Sequence, residues 1–262
     1  MKIKQKGERI RGTFRVFQSF PFIQGVLYYA EVTPRLGESS ESSPTRFLHG
    51  LDIRLLRKGT ELRRLLKRDR NAFFPVHGLF VEEGTLYQVF GKLEGNLMAH
   101  HLYRSVPLPL NQAIHFLRSI TGHLVRIHKQ GLFTVVHPQN MLITPDSIRF
   151  LYGGPLGLLP KTRGSRPGTM DPVAVRQQDQ AMDAYSLGAL AYIMFTGTSP
   201  APGGKLLPVR SYRGDVPQAL EHLIMQSLLA APQSRPRVEE FWNQVKEGGS
   251  QGISRTGATH SP

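Results

Sequence analysis

The sequence predicts an α+β protein, and three observations carry that expectation. Strand-like segments separated by short turns crowd the part of the chain before Asn96. From Leu97 onward, apolar residues recur at helical spacing. Between two of these helical stretches lies a loop-and-strand segment, Ile127–Gly157, IHKQGLFTVVHPQNMLITPDSIRFLYGGPLG. The order, strands first and helices afterwards, suits two adjoining substructures better than alternating βα units.

The N-terminal 1–13 reads as a basic extension. Phe14 and Val16 then share one face of a short strand, an alternation that Gln18 ends. Phe22–Ala30 forms the next turn and strand, 36–44 (LGESSESSP) a polar loop, and Thr45–Gly50 (TRFLHG) a third strand. Thr60–Arg68 is expected to be a helix with Leu62, Leu65 and Leu66 on one side and Arg63, Arg64 and Lys67 on the other. Val76–Val81 and Leu86–Phe90 are strands joined at Glu82-Glu83-Gly84. Leu97–Tyr103 is a short helix. Leu110–Gln130 is a long one, striped by Ile114, Leu117, Ile120, Leu124 and Ile127. His115, His123 and His128 decorate it, and packing explains them better than a metal cluster. A Gly/Pro-rich basic loop follows at 155–172, then helices over Asp183–Gly197, Leu220–Leu229 and Val238–Val245. The tail 247–262 is polar and Gly/Ser-rich, and is expected to be disordered.

Composition excludes several classes. With 40% hydrophobic residues in 262, the chain can bury a core, either one two-lobed domain or two small ones. There is no cysteine, so disulfides, thiolate catalysis and cysteine zinc sites are excluded. No apolar run is long enough to span a bilayer, and no apolar h-region follows the basic N-terminus. The expected location is cytoplasmic. The formal charge of +14 favours anionic partners, an acidic protein or nucleic acid. Basic residues cluster at Arg54–Arg70, where Arg54, Arg57, Arg63, Arg64 and Lys67 form a candidate anion-binding face. The competing account is a dispersed, solvated basic surface. No zinc-finger or RNA-binding signature accompanies the cluster.

The residues of Ile127–Gly157 resemble the catalytic core of the protein kinase-like superfamily, in particular the Ser/Thr kinase fold. That family reads L-H-x-x-G-[IV]-x-H-R-D-L-K-P-x-N-[IV]-L, a turn, and a strand ending in D-F-G. Pro138, Asn140 and Leu142 fall on its P-x-N-x-L. Asp183-Ala184-Tyr185-Ser186-Leu187-Gly188 resembles D-[VI]-[WY]-S-L-G, and Ser234-Arg235-Pro236 matches x-R-P. The resemblance covers about residues 14 to 246. It implies a two-lobed fold: a small β-rich lobe with one main helix (14–94), a larger helical lobe (95–246) and the flanking 1–13 and 247–262. His128 matches a histidine that packs just before the catalytic loop. Asp183 is implied to begin a buried helix and to accept hydrogen bonds from the backbone of the Phe133–His137 loop, with Gly188 in the same structural motif.

The resemblance also says what is missing. Val135 stands where the family keeps its catalytic Asp, and Tyr152 where it keeps the metal-binding Asp. Of the Gly-rich loop, G-x-G-x-x-G-x-V, only Gly25 survives. No lysine lies between Lys6 and Lys58, so the strand Lys of V-A-I-K is absent. Arg46 or His49 occupies its neighbourhood, or, with Leu51-Asp52-Ile53-Arg54 on the motif, Arg54 does. Glu61 falls on the helix Glu, Phe90 on the gatekeeper, and Gly91-Lys92-Leu93 on the hinge whose backbone binds adenine in active members. Ser165 and Thr169 lie in the place of the activation segment. Val173 removes the usual carboxylate partner of Arg235, which leaves Asp171 as a replacement. Phosphoryl transfer needs cradled phosphates, held magnesium and an oriented acceptor. Asn140 alone of the magnesium-holding groups remains, and hard cations take carboxylates there.

The expectation is therefore a pseudokinase that works as a scaffold or allosteric binding module for a protein partner, without cofactor or metal. One alternative is an atypical kinase using Arg46 for phosphate and Asp146 or Asp171 for metal. Another is a cleft that binds ATP without magnesium, lined by Gly25, Arg46, His49, Glu61, Phe90, Gly91, Leu93, Asn140, Leu142 and Tyr152.

Overall fold

The computed structural model describes residues 1–23, 25–33, 44–56, 61–155, 172–200 and 206–247. They group into two compact units. The first contains Met1–Asn96, Gly131–Thr134 and the residues from Arg149 to Pro155. The second contains Leu97–Gln130, Val135–Ile148 and the described residues from Pro172 onward.

The first unit is built on one antiparallel sheet. Its strands are β1 (Arg9–Ile10), β2 (Phe14–Phe22), β3 (Gly25–Val32), β4 (Thr45–Asp52), β5 (Val76–Glu82) and β6 (Thr85–Phe90). They lie in the order β1-β2-β3-β4-β6-β5. Strand alternation sets the two faces. Val16, Val26, Tyr28, Ala30, Leu48, Tyr87 and Val89 form the core of one face, with Ile10 of the N-terminal extension fully buried among them. Lys4 of the same extension is buried too, its backbone N–H donating to the Tyr28 hydroxyl (3.3 Å) and its ammonium to Glu83 (3.0 Å). The residues 1–13 are thus part of the sheet's packing.

Two local expectations are corrected. The first strand is not short: β2 runs on to Phe22 past the point where its alternation ends. A register shift between Val16 and Gln18 inserts one residue, which breaks the alternation without ending the strand. The segment after Glu61 is a 3-10 helix, Leu62–Lys67, and not an α-helix. At three residues per turn Leu62 and Leu65 eclipse one another, whereas Leu66 rotates away. Leu65 is fully buried and Leu66 is 44% exposed. Glu61 provides no side-chain cap that would support a longer helix.

The second unit is helical: α1 (Met98–Ser105), α2 (Leu110–Lys129), α3 (Pro172–Thr196), α4 (Gln218–Ser227) and α5 (Val238–Glu247). Leu117, Ile120, Leu124 and Ile127 of the α2 stripe are fully buried. α5 crosses α2 where Gly122 makes room for Trp242, and Arg118 donates to the Val245 carbonyl (2.9 Å). α3 starts at Pro172, well before Asp183. Proline is a favoured first helical residue, and nothing between it and Asp183 breaks a helix.

Candidate functional site

β4 places Arg46 and His49 on opposite faces. Arg46 lies opposite Ala30, whose side chain is in the sheet core, and its guanidinium donates to the Thr45 carbonyl (2.8 Å). His49 points the other way and is 1% exposed. Its Nδ1 is 3.1 Å from the Gln88 amide, and its ring meets Phe22 (5.1 Å) and Tyr152 (5.4 Å) edge-on. Arg54 lies beyond the strand, in a 3-10 turn, where it is paired with Asp52 at 2.7 Å. Of the three, His49 is therefore the residue whose described contacts include Tyr152.

Tyr152 precedes the strand Gly153–Pro155, which pairs with Leu132–Thr134. Its side chain is fully buried, and burial pushes the phenol above its ordinary range. Phe133 packs on it edge-on at 6.1 Å, and the Tyr152 carbonyl accepts from Thr134 Oγ1 (2.7 Å). Gly153, at φ 149°, has no space for a side chain, because a Cβ would lie 2.5 Å from Phe73 and 2.6 Å from the Phe133 carbonyl. Gly25 is likewise explained by the sheet: a Cβ there would run into the Gly50 carbonyl.

Arg68 is the residue that sequence reasoning missed. It was counted with the basic surface, yet it is 4% exposed. Its guanidinium donates to the carbonyls of Phe74 (2.6 Å) and Gly153 (2.9 Å) and lies over the rings of Phe73 and Phe90. Burial without a described carboxylate lowers its pKa to about 9. The signal that would have found it is the spacing Leu62, Leu65, Arg68, a straight row at 3-10 period. Glu61, by contrast, is exposed and lies 4.0 Å from Arg64. Phe90 is buried, Gly91 abuts the His77 ring, and Leu93 is half-buried.

In the second unit, Asn140 closes its loop. It is fully buried, and its Nδ2 donates to the Val135 carbonyl at 2.8 Å. Its backbone N–H donates to the His137 carbonyl (2.8 Å), and the Gln139 N–H donates to His137 Nδ1 (3.2 Å). Burial lowers the pKa of His137. Leu142 is buried behind the loop and Val135 is half-buried.

Asp183 departs from expectation. It lies inside α3, and its described hydrogen bond is with His128 Nε2 (2.8 Å), not with the Phe133–His137 backbone. Burial pushes its carboxyl up, against the pull of His128. Gly188, one turn further, meets Ser227 of α4. Arg235 donates to the carbonyls of Ala181, Leu229 and Ala230 and lies 4.8 Å over the Tyr185 ring. Three carbonyls and a ring are its described partners, and the expected replacement carboxylate, Asp171, lies outside the described residues.

Of the candidate basic face, Arg63, Arg64 and Lys67 are exposed on the 3-10 helix. Arg57, Ser165, Thr169, Asp171 and the 248–262 tail lie outside the described residues. The α2 histidines stay apart in role: His123 faces Arg126, His128 holds Asp183, and His115 lies by Phe116. Among the described residues, no group of three or more His, Asp or Glu is placed to hold a metal. Magnesium nucleotide does not fit these donors. The residue at the metal Asp position is a buried phenol, and Asn140, whose Nδ2 is given to Val135, offers only a neutral amide oxygen where such an ion takes carboxylates.

No protein-family model matches the chain. In sequence it is 26% identical over 178 residues to the serine/threonine-protein kinase PknL of Mycobacterium tuberculosis, covering 63% of this chain and 45% of that protein. It is 30% identical over 152 residues to the probable serine/threonine-protein kinase zyg-1 of Caenorhabditis briggsae, covering 53% of this chain and 21% of that one. The chain thus spans less than half the length of these relatives. In structure it is similar to the Mycobacterium tuberculosis PknI kinase domain, with TM-score 0.62, 20% identity, and 94% and 99% of the two chains covered. The Rad53 structure in complex with AMP-PNP gives TM-score 0.61 at 18% identity, over 89% of this chain and 65% of that one. The chain has the protein kinase-like fold, a β-rich lobe followed by a helical one, and no described helix is long and apolar enough to cross a membrane.

Proposed function

We propose that this kinase-shaped chain transfers no phosphate and acts as a binding module, a scaffold or allosteric partner for another protein. The observation that carries the reading is the buried edge-to-face pair of His49 and Tyr152, 5.4 Å apart. The family places a metal-binding carboxylate at the second position and, with His49 taken on the strand Lys, a cation at the first. Here an imidazole hydrogen-bonded to Gln88 meets a phenol, and neither holds magnesium or neutralises a triphosphate. Val135 offers no base to an acceptor hydroxyl.

The atypical-kinase alternative needs Arg46 on the phosphate side, and Arg46 is on the other face of β4. Labelled ATP with Mg²⁺ or Mn²⁺ tests the reading directly. No incorporation into the protein or a generic acceptor is expected. Incorporation abolished by Asn140→Ala or Arg46→Ala would overturn it.

The partner surface of this reading is the basic 3-10 helix. Exposed Arg63, Arg64 and Lys67 flank exposed Leu66, a combination suited to an acidic protein. Nucleic acid is the competing partner. Binding to either should weaken with salt and vanish on charge reversal of the three cations. Binding indifferent to both would leave the face merely solvated.

A further inference from the structure

The sheet face that carries His49 bears a second aromatic arrangement. Tyr29 and Phe47 are paired across β3 and β4, with ring centroids 5.1 Å apart and planes inclined at 39°. Phe17 of β2 continues the row, 5.9 Å from Tyr29. All three rings are half-buried. Phe47 and His49, two residues apart in one strand, share a face. Phe47 is also the register partner of Phe90, the residue before Gly91. The row therefore covers the sheet between the hinge-side residues and the His49–Tyr152 pair. With His49 on the Lys of V-A-I-K, Phe47 stands on the alanine. Exchanging a methyl for a benzyl group fills about 3.5 Å of depth, the contact thickness of one flat ring.

We propose that Tyr29 and Phe47 decide what this face accepts: their rings take the space of a nucleobase, so a purine nucleoside is refused, and shortening them opens a slot that takes one. The inference rests on the reading of the chain as a non-phosphorylating module and concerns its base side alone. The phosphate side belongs to His49 and Tyr152. Tilted contact between protein rings replaces contact with a ligand ring, and the sheet face needs no bound nucleotide to cover it.

The test uses a fluorescent nucleoside without phosphates, 2-aminopurine riboside, titrated into the full chain. Wild type should show no saturable signal up to about 1 mM. Tyr29→Val/Phe47→Ala, and the milder Phe47→Val that keeps a β-branched residue in the strand, should bind saturably and at least about tenfold more tightly. Saturable binding by wild type at the variants' affinity overturns the proposal. So does the absence of any gain in variants that keep the wild-type circular dichroism and cooperative melting. Loss of folding in both variants overturns it as well, because the rings would then be core and not a filled slot. Riboside binding by wild type without phosphotransfer strikes this inference and leaves the functional reading standing. Phosphotransfer strikes the functional reading.

Discussion

The side-chain amide of Asn140 donates to the Val135 carbonyl at 2.8 Å, so the residue that resembles a magnesium ligand ties together the two ends of its own loop. The bond reaches across the 3-10 turn Pro138–Asn140, which is capped by His137 accepting from the Gln139 N–H. The Asn140 Nδ2 group is therefore a structural donor within the loop.

Asn140→Ala should destabilise the protein by about 1–3 kcal/mol, the usual cost of stranding a buried hydrogen-bond partner. Asn140→Asp, which sets a carboxylate against the Val135 carbonyl, should cost at least as much. The urea midpoint should fall in both with the slope unchanged. A wild-type midpoint for Asn140→Ala would show that the bond to Val135 contributes nothing.

Gly188 has its place because α3 and α4 touch there. A Cβ at this position would lie 1.6 Å from Ser227 Oγ and 2.8 Å from its Cβ. Gly188→Ala should therefore cost about 1–3 kcal/mol or more through overpacking, although alanine favours helix. Ser227→Gly added to Gly188→Ala should recover most of the overpacking loss, a coupling readable in a double-mutant cycle. Additive losses would place the two helices further apart than described.

Arg68→Met should be among the costlier single changes in the β-rich unit. It removes the donor from two carbonyls, Phe74 and Gly153, at about 1–3 kcal/mol for each group left unpaired. Arg68→Lys should recover only part, because an ammonium does not reproduce the guanidinium fork. Thermal melts of the two variants would check the order. A melting temperature for Arg68→Met at or above wild type would mean that the buried cation costs more than its hydrogen bonds return.

Asp52 sets a pH dependence. The Arg54 guanidinium beside it holds its carboxyl well below the ordinary carboxylate range. A depressed folded-state pKa means that the unfolded chain binds more protons in the window between the two values. The stabilisation is thus complete above the unfolded value of about 4 and is lost as pH falls toward the folded one. Asp52→Asn should be less stable than wild type at neutral pH, and the gap should close progressively between about pH 4 and pH 2. A gap unchanged across that range would assign the difference to packing.

The sequence by itself determined the order of the parts and most of the helices, though not the start of α3 or the 3-10 form of Leu62–Lys67. The α2 stripe, the Pro138-x-Asn140 spacing and the Asp183–Gly188 run are local patterns, and a period of 3.6 or a fixed loop spacing states which side of an element is buried. It does not state what lies opposite. That His49 meets Tyr152, that Asp183 takes His128 in place of loop N–H groups, and that Arg68 turns inward among Phe73, Phe90 and two carbonyls were decided by tertiary structure alone. His49 and Tyr152, Asp183 and His128, and Arg68 and Gly153 each come from distant parts of the chain. An arginine in a basic run reads as surface because a buried cation is costly. Only the assembled unit supplies the carbonyls and ring faces that offset the cost.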